Sequence, residues 1–220
     1  MKRILRLLVL SGLLVIWIPS CKGINVNMPI PSLTPDIQSN EWKSWLIEPV
    51  CQLPCWQYIT PGVTTLKEAV SILEDSPDVK IRYRTNNGVD WKFTLNKNEG
   101  GEIRASEDGI VRSITLGGDS EILLQTIIAS YGDPKYVKTY DCRYEMCSTF
   151  LIYPDLGMLV SIFLKNATGN DVAPQIEISP TTLSDSVIFM KSGMENVQKE
   201  ISLFQDYHLA MDWKGYGEYP

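Results

Sequence analysis

The chain predicts an α+β fold in which short helices pack on an antiparallel β-meander, and three observations carry that expectation. Several stretches alternate strictly between apolar and polar residues, Asn-Gly, Gly-Gly and Asp-Gly dipeptides separate them, and two runs space their apolar residues at i, i+3, i+4 and i+7. Alternation at period two puts every second side chain on one face of a strand, whereas the wider spacing draws one stripe down a helix.

The first helix follows Thr60-Pro61-Gly62-Val63-Thr64-Thr65, a turn whose last residue and Glu68 form a capping-box pattern. Leu66, Ala69, Val70 and Leu73 share its apolar face, and Pro77 closes it. In the next segment Val79, Ile81 and Tyr83 face one way and Lys80, Arg82 and Arg84 the other. Asn87-Gly88 is expected to turn the chain into a strand on which Val89, Trp91, Phe93 and Leu95 alternate with Asp90, Lys92 and Thr94. A turn expected at Gly100-Gly101 leads to residues 102–106, and Asp108-Gly109 leads to residues 110–116. The expected result is a meander with one apolar face.

The pattern then restarts. Asp119 or Ser120 is the expected cap of a second helix whose face holds Leu124, Ile127, Ile128 and Tyr131, and Gly132-Asp133-Pro134 ends it. Strand patterns follow at residues 136–141, 148–153, 158–164 and 175–179. Helix then meander, twice, makes a tandem duplicated α-β unit one reading of the chain. Residues 186–190 suit a further strand, Val197, Ile201 and Phe204 a short helix, and residues 212–219 an aromatic, glycine-rich tail that either packs back on the sheet or stays exposed.

At the other end, Lys2, Arg3 and Arg6 precede an apolar run over residues 7–18. About 12 residues make roughly 18 Å of helix against roughly 30 Å of bilayer hydrocarbon, which fits a cleaved secretory signal and not a span. The run closes on Ile18-Pro19-Ser20-Cys21, which resembles the lipobox of bacterial lipoproteins. That resemblance implies a diacylglycerylated Cys21 thiol, cleavage on its amino side and a membrane held as partner through the lipid. Residues 24–40 are rich in Pro, Ser, Asn and Thr and read as a tether. The expected organisation is a signal peptide at 1–20, a lipid-anchored tether at 21–45, helix-plus-meander units at 46–118 and 119–180, and a C-terminal strand, helix and tail at 181–220.

Without the leader's three basic residues, 17 of the 20 Lys+Arg remain against 26 Asp+Glu, a formal charge of −9. An acidic body does not attract phosphate backbones, so nucleic acid is not an expected partner. Cys51 and Cys55, and Cys142 and Cys147, form two close pairs. An exported chain makes disulfides the expected use; three connectivities exist, and the two local ones fit best, the second clamping a hairpin. A zinc site from the same four cysteines is the rival reading, although neither pair has the two-residue spacing common in zinc knuckles.

Ile59-Thr60-Pro61-Gly62-Val63-Thr64 before the first helix and Tyr131-Gly132-Asp133-Pro134 after the second resemble the glycine, threonine, helix, glycine-x-proline pattern of small BamE/SmpA-type outer-membrane lipoproteins. The tandem arrangement is also similar to the β-lactamase-inhibitor proteins. Both likenesses imply helices on an antiparallel sheet and a role in protein binding or assembly.

Catalytic chemistry has little to stand on. The single histidine, His208, lies between Tyr207 and Leu209 with no Gly-x-Ser-x-Gly elbow anywhere in the chain, and a surface or packing role suits it better than that of a base. Asn166-Ala167-Thr168-Gly169-Asn170-Asp171 has the composition of a calcium loop without the EF-hand spacing and reads as a hairpin loop. Gly117-Gly118-Asp119 lacks the lysine of a phosphate loop. No catalytic, cofactor or metal residue is therefore expected. The expected function is that of an exported, lipid-anchored, non-enzymatic binding or assembly module at the extracytoplasmic face of the cell membrane, with a protein partner there. Two alternatives stay open. One is a glycan binder using exposed aromatics, for which Trp42 and Trp45 are the better candidates, Trp56 is a further one and Trp91 suits the core. The other is a hydrolase using paired carboxylates, which are recognised by spatial separation and not by sequence spacing.

Overall fold

The computed structural model describes residues 46–47, 49–95, 98–143, 145–168, 175–202 and 210–220. The expected signal peptide, the tether with Cys21, Trp42 and Trp45, and also Phe204 and His208, lie outside the described residues. Helix α1 (Leu66–Asp75) starts with the expected capping box: the Thr65 hydroxyl accepts from the Glu68 N–H, and the Glu68 carboxylate accepts from the Thr65 N–H. Those two bonds satisfy donors that a helix start otherwise leaves open. Hydrogen bonds from the Thr65 N–H and hydroxyl to the Glu68 carboxylate hold that carboxyl below its ordinary pKa. Ala69 and Leu73 are buried, and Leu66 and Val70 pack against the same core.

Four strands follow, β1 (Val79–Thr85), β2 (Gly88–Phe93), β3 (Glu99–Ala105) and β4 (Val111–Leu123). After α2 (Leu124–Tyr131) come β5 (Tyr136–Arg143), β6 (Met146–Tyr153), β7 (Met158–Lys165), β8 (Ile176–Ile178) and β9 (Leu183–Met190). Helix α3 (Met194–Ile201) and two short strands, β10 (Met211–Asp212) and β11 (Gly217–Tyr219), complete the described chain. Nine strands form one sheet in the order β1-β2-β3-β4-β9-β7-β6-β5-β10, with antiparallel pairing throughout, and β8 pairs with β11 in a separate ribbon. The fold is α+β with short helices packed on an antiparallel sheet.

Each helix-led run supplies four strands of that sheet, and the last strands of the two runs, β4 and β9, pair at its centre with Ile114 opposite Phe189 and Leu116 opposite Val187. The expected boundary at 180 therefore falls inside one hydrogen-bonded sheet, because the strand that completes the second run is β9. The strand expected at 175–179 instead leaves the sheet as β8.

Four further expectations are corrected. Gly100 and Gly101 do not turn the chain; they lie within β3, opposite Lys92 and Trp91. A Cβ on Gly101 would come within 2.5 Å of Trp91 Cζ2 and 2.3 Å of the Thr115 carbonyl, so the glycine makes room for the indole. The β1–β2 turn uses Asn86-Asn87, one residue earlier than expected, since Thr85 pairs with Gly88. Tyr83 does not share a face with Ile81: Ile81 pairs with Trp91 but Tyr83 pairs with Asp90, so a bulge at Arg82 turns Tyr83 to the polar face, 66% exposed. Neither Asp119 nor Ser120 caps α2, because β4 runs past both and the cap position is Leu123, which makes no side-chain cap bond.

Two cores result. On one face of the sheet α1 and α2 cover Val89, Trp91, Phe93, Ile103, Leu116, Val160, Val187 and Phe189. On the opposite face Val197 and Ile201 of α3 cover Phe150, Ile152, Leu159, Ile188 and Met190. The second half is thus apolar on both faces, whereas β1 to β4 keep one polar face, carrying Asp90, Lys92, Glu102 and Thr115.

Candidate functional site

The segment before α1 builds the feature that best suits a binding role. A Cys51–Cys55 disulfide, with Cα atoms 5.7 Å apart, closes a small loop that feeds a two-residue hairpin. Trp56 and Ile59 bond reciprocally through their backbones, the two N–H groups donating at 2.9 and 2.8 Å. Both side chains are buried, and the Trp56 indole stacks on Trp91 at 5.1 Å with its plane tilted by 18°. Between these anchors Gln57 and Tyr58 have φ of 47° and 65°. Positive φ at both central positions is the pattern of a type I′ turn, which Asn and Gly favour because an L side chain crowds its own backbone there. Tyr58 is nevertheless 69% exposed, so packing of its ring does not account for its presence. Buried Trp56 and Ile59 anchor the hairpin while its tip displays an aromatic side chain to solvent.

Beside the tip lies an open cavity of about 240 Å³ between the hairpin, the end of α1 and the start of β1. Trp56, Tyr58, Ile72, Leu73, Asp75 and Val79 line it. Its floor is apolar because the α1 stripe and the start of β1 converge there. Its rim carries one carboxylate.

A second cavity, of about 250 Å³, opens on the polar face of β1 to β4 and includes Tyr83, Asp90, Glu102, Arg104 and Arg112 in its wall. Asp90 and Glu102 are direct cross-strand partners, which places their Cβ atoms about 5 Å apart. Each already holds a guanidinium: Arg82 grips Asp90 with two nitrogens, one at 3.0 Å, and Arg104 reaches Glu102 at 2.9 Å. Hydrogen bonding to these carboxylates raises both arginine pKa values against the opposing effect of burial. Arg112 in turn lies 3.0 Å by its Nε from Glu200 of α3, although its N–H is out of line for a hydrogen bond; Glu200 is only 4% exposed and accepts from the Ser113 hydroxyl at 3.0 Å. These contacts fasten α3 to the sheet.

No family model matches the chain, and no curated protein matches it. One solved structure is similar to part of it. This is a DUF4309 family protein (YjgB) from Bacillus subtilis subsp. subtilis str. 168, at 11% identity and a TM-score of 0.37, covering 62% of this chain and 84% of that one.

The cysteines form the two local disulfides. Cys142 and Cys147 are register partners across β5 and β6, and their bond closes the hairpin between those strands. Both pairs are consumed as disulfides, which removes the zinc reading. Cys51 and Cys55 belong to the hairpin site, whereas Cys142 and Cys147 lie in the other run. Asn166 is buried, and its Oδ1 accepts from the Thr168 N–H and hydroxyl and from the Gln175 N–H. That oxygen closes a loop in the described part of the segment with calcium-loop composition; residues 169–171 lie outside the described residues. The aromatic tail packs back: Trp213 stacks on Tyr219 at 5.9 Å, and the Tyr219 hydroxyl donates to the Gly215 carbonyl at 2.7 Å. Of the tryptophans expected as a sugar platform, Trp56 and Trp91 are buried together. Sequence reasoning missed Tyr58. Gln-Tyr between Trp56 and Ile59 carries no turn chemistry, and only the flanking apolar residues hint at a hairpin.

Proposed function

We propose that the chain is an exported protein, lipid-anchored through Cys21 at the extracytoplasmic face of the cell membrane, and that it works as a non-enzymatic protein-binding or assembly module. The observation that carries this reading is the Trp56–Ile59 hairpin, where two non-glycine residues hold left-handed backbone to display Tyr58 beside an apolar hollow. Residues held in such conformations concentrate at binding sites, where fold stability is given up for a presented group. An exposed tyrosine on an anchored hairpin offers large contact area with little side-chain entropy to lose on binding. The likeness to BamE/SmpA-type lipoproteins supports the same class of role. A hydrolytic reading has less support, because Asp90 and Glu102 are each engaged by an arginine.

Carbohydrate binding is the second reading, favoured by the same exposed ring, since exposed aromatic side chains can stack on sugars. One experiment separates them. A photo-reactive residue at position 58 of the full chain, activated in native membranes, is expected to give a discrete protein adduct, while the same residue at Tyr216 does not. An adduct with glycan alone overturns the protein-binding reading. For the anchor, a Cys21→Ser variant is expected in the medium, and its retention on the membrane overturns lipidation.

A further inference from the structure

We infer that the hollow beside Tyr58 receives a cationic side chain, lysine or arginine, from the partner protein; this rests on the binding-module reading and names the chemistry of that contact. The hollow has the parts such a side chain needs. Ile72, Leu73 and Val79 offer an apolar bed for a methylene stem, Tyr58 offers a ring face, and Asp75 offers a carboxylate at the rim. Long cationic side chains bury the stem and keep the charged head at the polar edge. The head would meet the tyrosine ring as a cation–π contact and Asp75 as a counterion.

The electrostatics favour a cation over any other guest. Asp75 is the last residue of α1, whose final turn contains Glu74 and Asp75 and no basic residue. The last carbonyls of a helix carry the negative end of its dipole, which acidic residues there reinforce. Glu74 is neutralised by Arg84, but among the described residues Asp75 has no ion pair. It is an exposed negative charge at the negative end of a helix, above an apolar floor, and a cation relieves that repulsion. The polar cavity on the opposite face differs in this respect, because its carboxylates, Asp90 and Glu102, carry their own arginines. The net charge of −9 on the chain without its leader steers cationic segments toward the molecule as a whole.

The test is a titration of the full chain in detergent micelles, with Ile, Leu and Val methyls labelled for NMR, using N-acetyl-arginine amide and its uncharged isostere N-acetyl-citrulline amide. The arginine compound is expected to shift the Ile72, Leu73 and Val79 methyls saturably, and the citrulline compound to leave them in place. Asp75→Asn keeps the shape of the side chain and is expected to weaken binding about five-fold, the effect of about 1 kcal/mol of surface Coulomb attraction. Tyr58→Leu keeps an apolar side chain without the ring face and is expected to weaken it about three-fold. Equal shifts from citrulline, or undiminished affinity in Asp75→Asn, overturn the inference. A protein adduct from position 58 together with a flat arginine titration overturns the cationic guest and leaves the binding-module reading standing.

Discussion

Replacing Tyr58 by glycine is expected to make the protein more stable, which separates a residue kept for display from one kept for packing. The φ of 65° at Tyr58 lies in the left-handed region. Left-handed backbone there costs an L residue about 1–2 kcal/mol relative to glycine. Against this, glycine gives the unfolded chain extra freedom worth about 0.4–1 kcal/mol. The lost side chain is 69% exposed, so little buried area is forfeited. The net expectation is a gain of about 0.5–1 kcal/mol. For a chain of this size, that raises Tm by about 1–4 °C. Adding Gln57→Asn, whose φ is 47°, creates the Asn-Gly pair that type I′ turns favour and is expected to add about 0.5 kcal/mol more. Scanning calorimetry of the oxidised full chain reads the shift, and co-purification reads the expected loss of partner. A Tm for Tyr58→Gly more than about 2 °C below wild type would refute the reasoning, because the ring would then be structural.

Three further outcomes are expected. Gly101→Ala drives a methyl against Trp91 and the Thr115 carbonyl and is expected to destabilise by about 3 kcal/mol in urea melts; a loss under about 1 kcal/mol with an unchanged near-ultraviolet spectrum would show that the indole has room to move. Burial raises the Tyr131 pKa to about 12, above its ordinary value near 10. The neutral phenol is therefore favoured by folding; its contribution is complete below about pH 10 and is lost as pH rises toward 12, so stability should fall across that window, and the fall should shrink in Tyr131→Phe. Cys142→Ser with Cys147→Ser opens a short loop and is expected to lower stability by about 2 kcal/mol, whereas an unchanged denaturation midpoint would show that the β5–β6 register holds without the bond.

Local chemistry was readable wherever partners are near in sequence. The capping box of Thr65 and Glu68, the stripe on α1, the alternation of Val89, Trp91 and Phe93 and the two disulfides all involve residues within a few positions of one another in the chain. The Gly100-Gly101 dipeptide misled because glycine serves two purposes that look alike in a sequence. One is the sharp turn, and the other is the absence of a Cβ beneath a large neighbour, here Trp91. Tyr83 misled because one bulged residue reverses the facing of everything after it.

The sequence by itself determined the α+β class, most of the helices and strands and the acidic composition, and it favoured the local cysteine pairing over its rivals, because these follow from period, spacing and composition. Only the tertiary structure decided that the two runs join through β4 and β9 into one nine-stranded sheet, that α3 covers the far face of the second half, and that Tyr58 stands beside Asp75 over an apolar hollow. Strand partners and cavities depend on residues far apart in the chain. For them alternation says which side chains are buried but not what buries them.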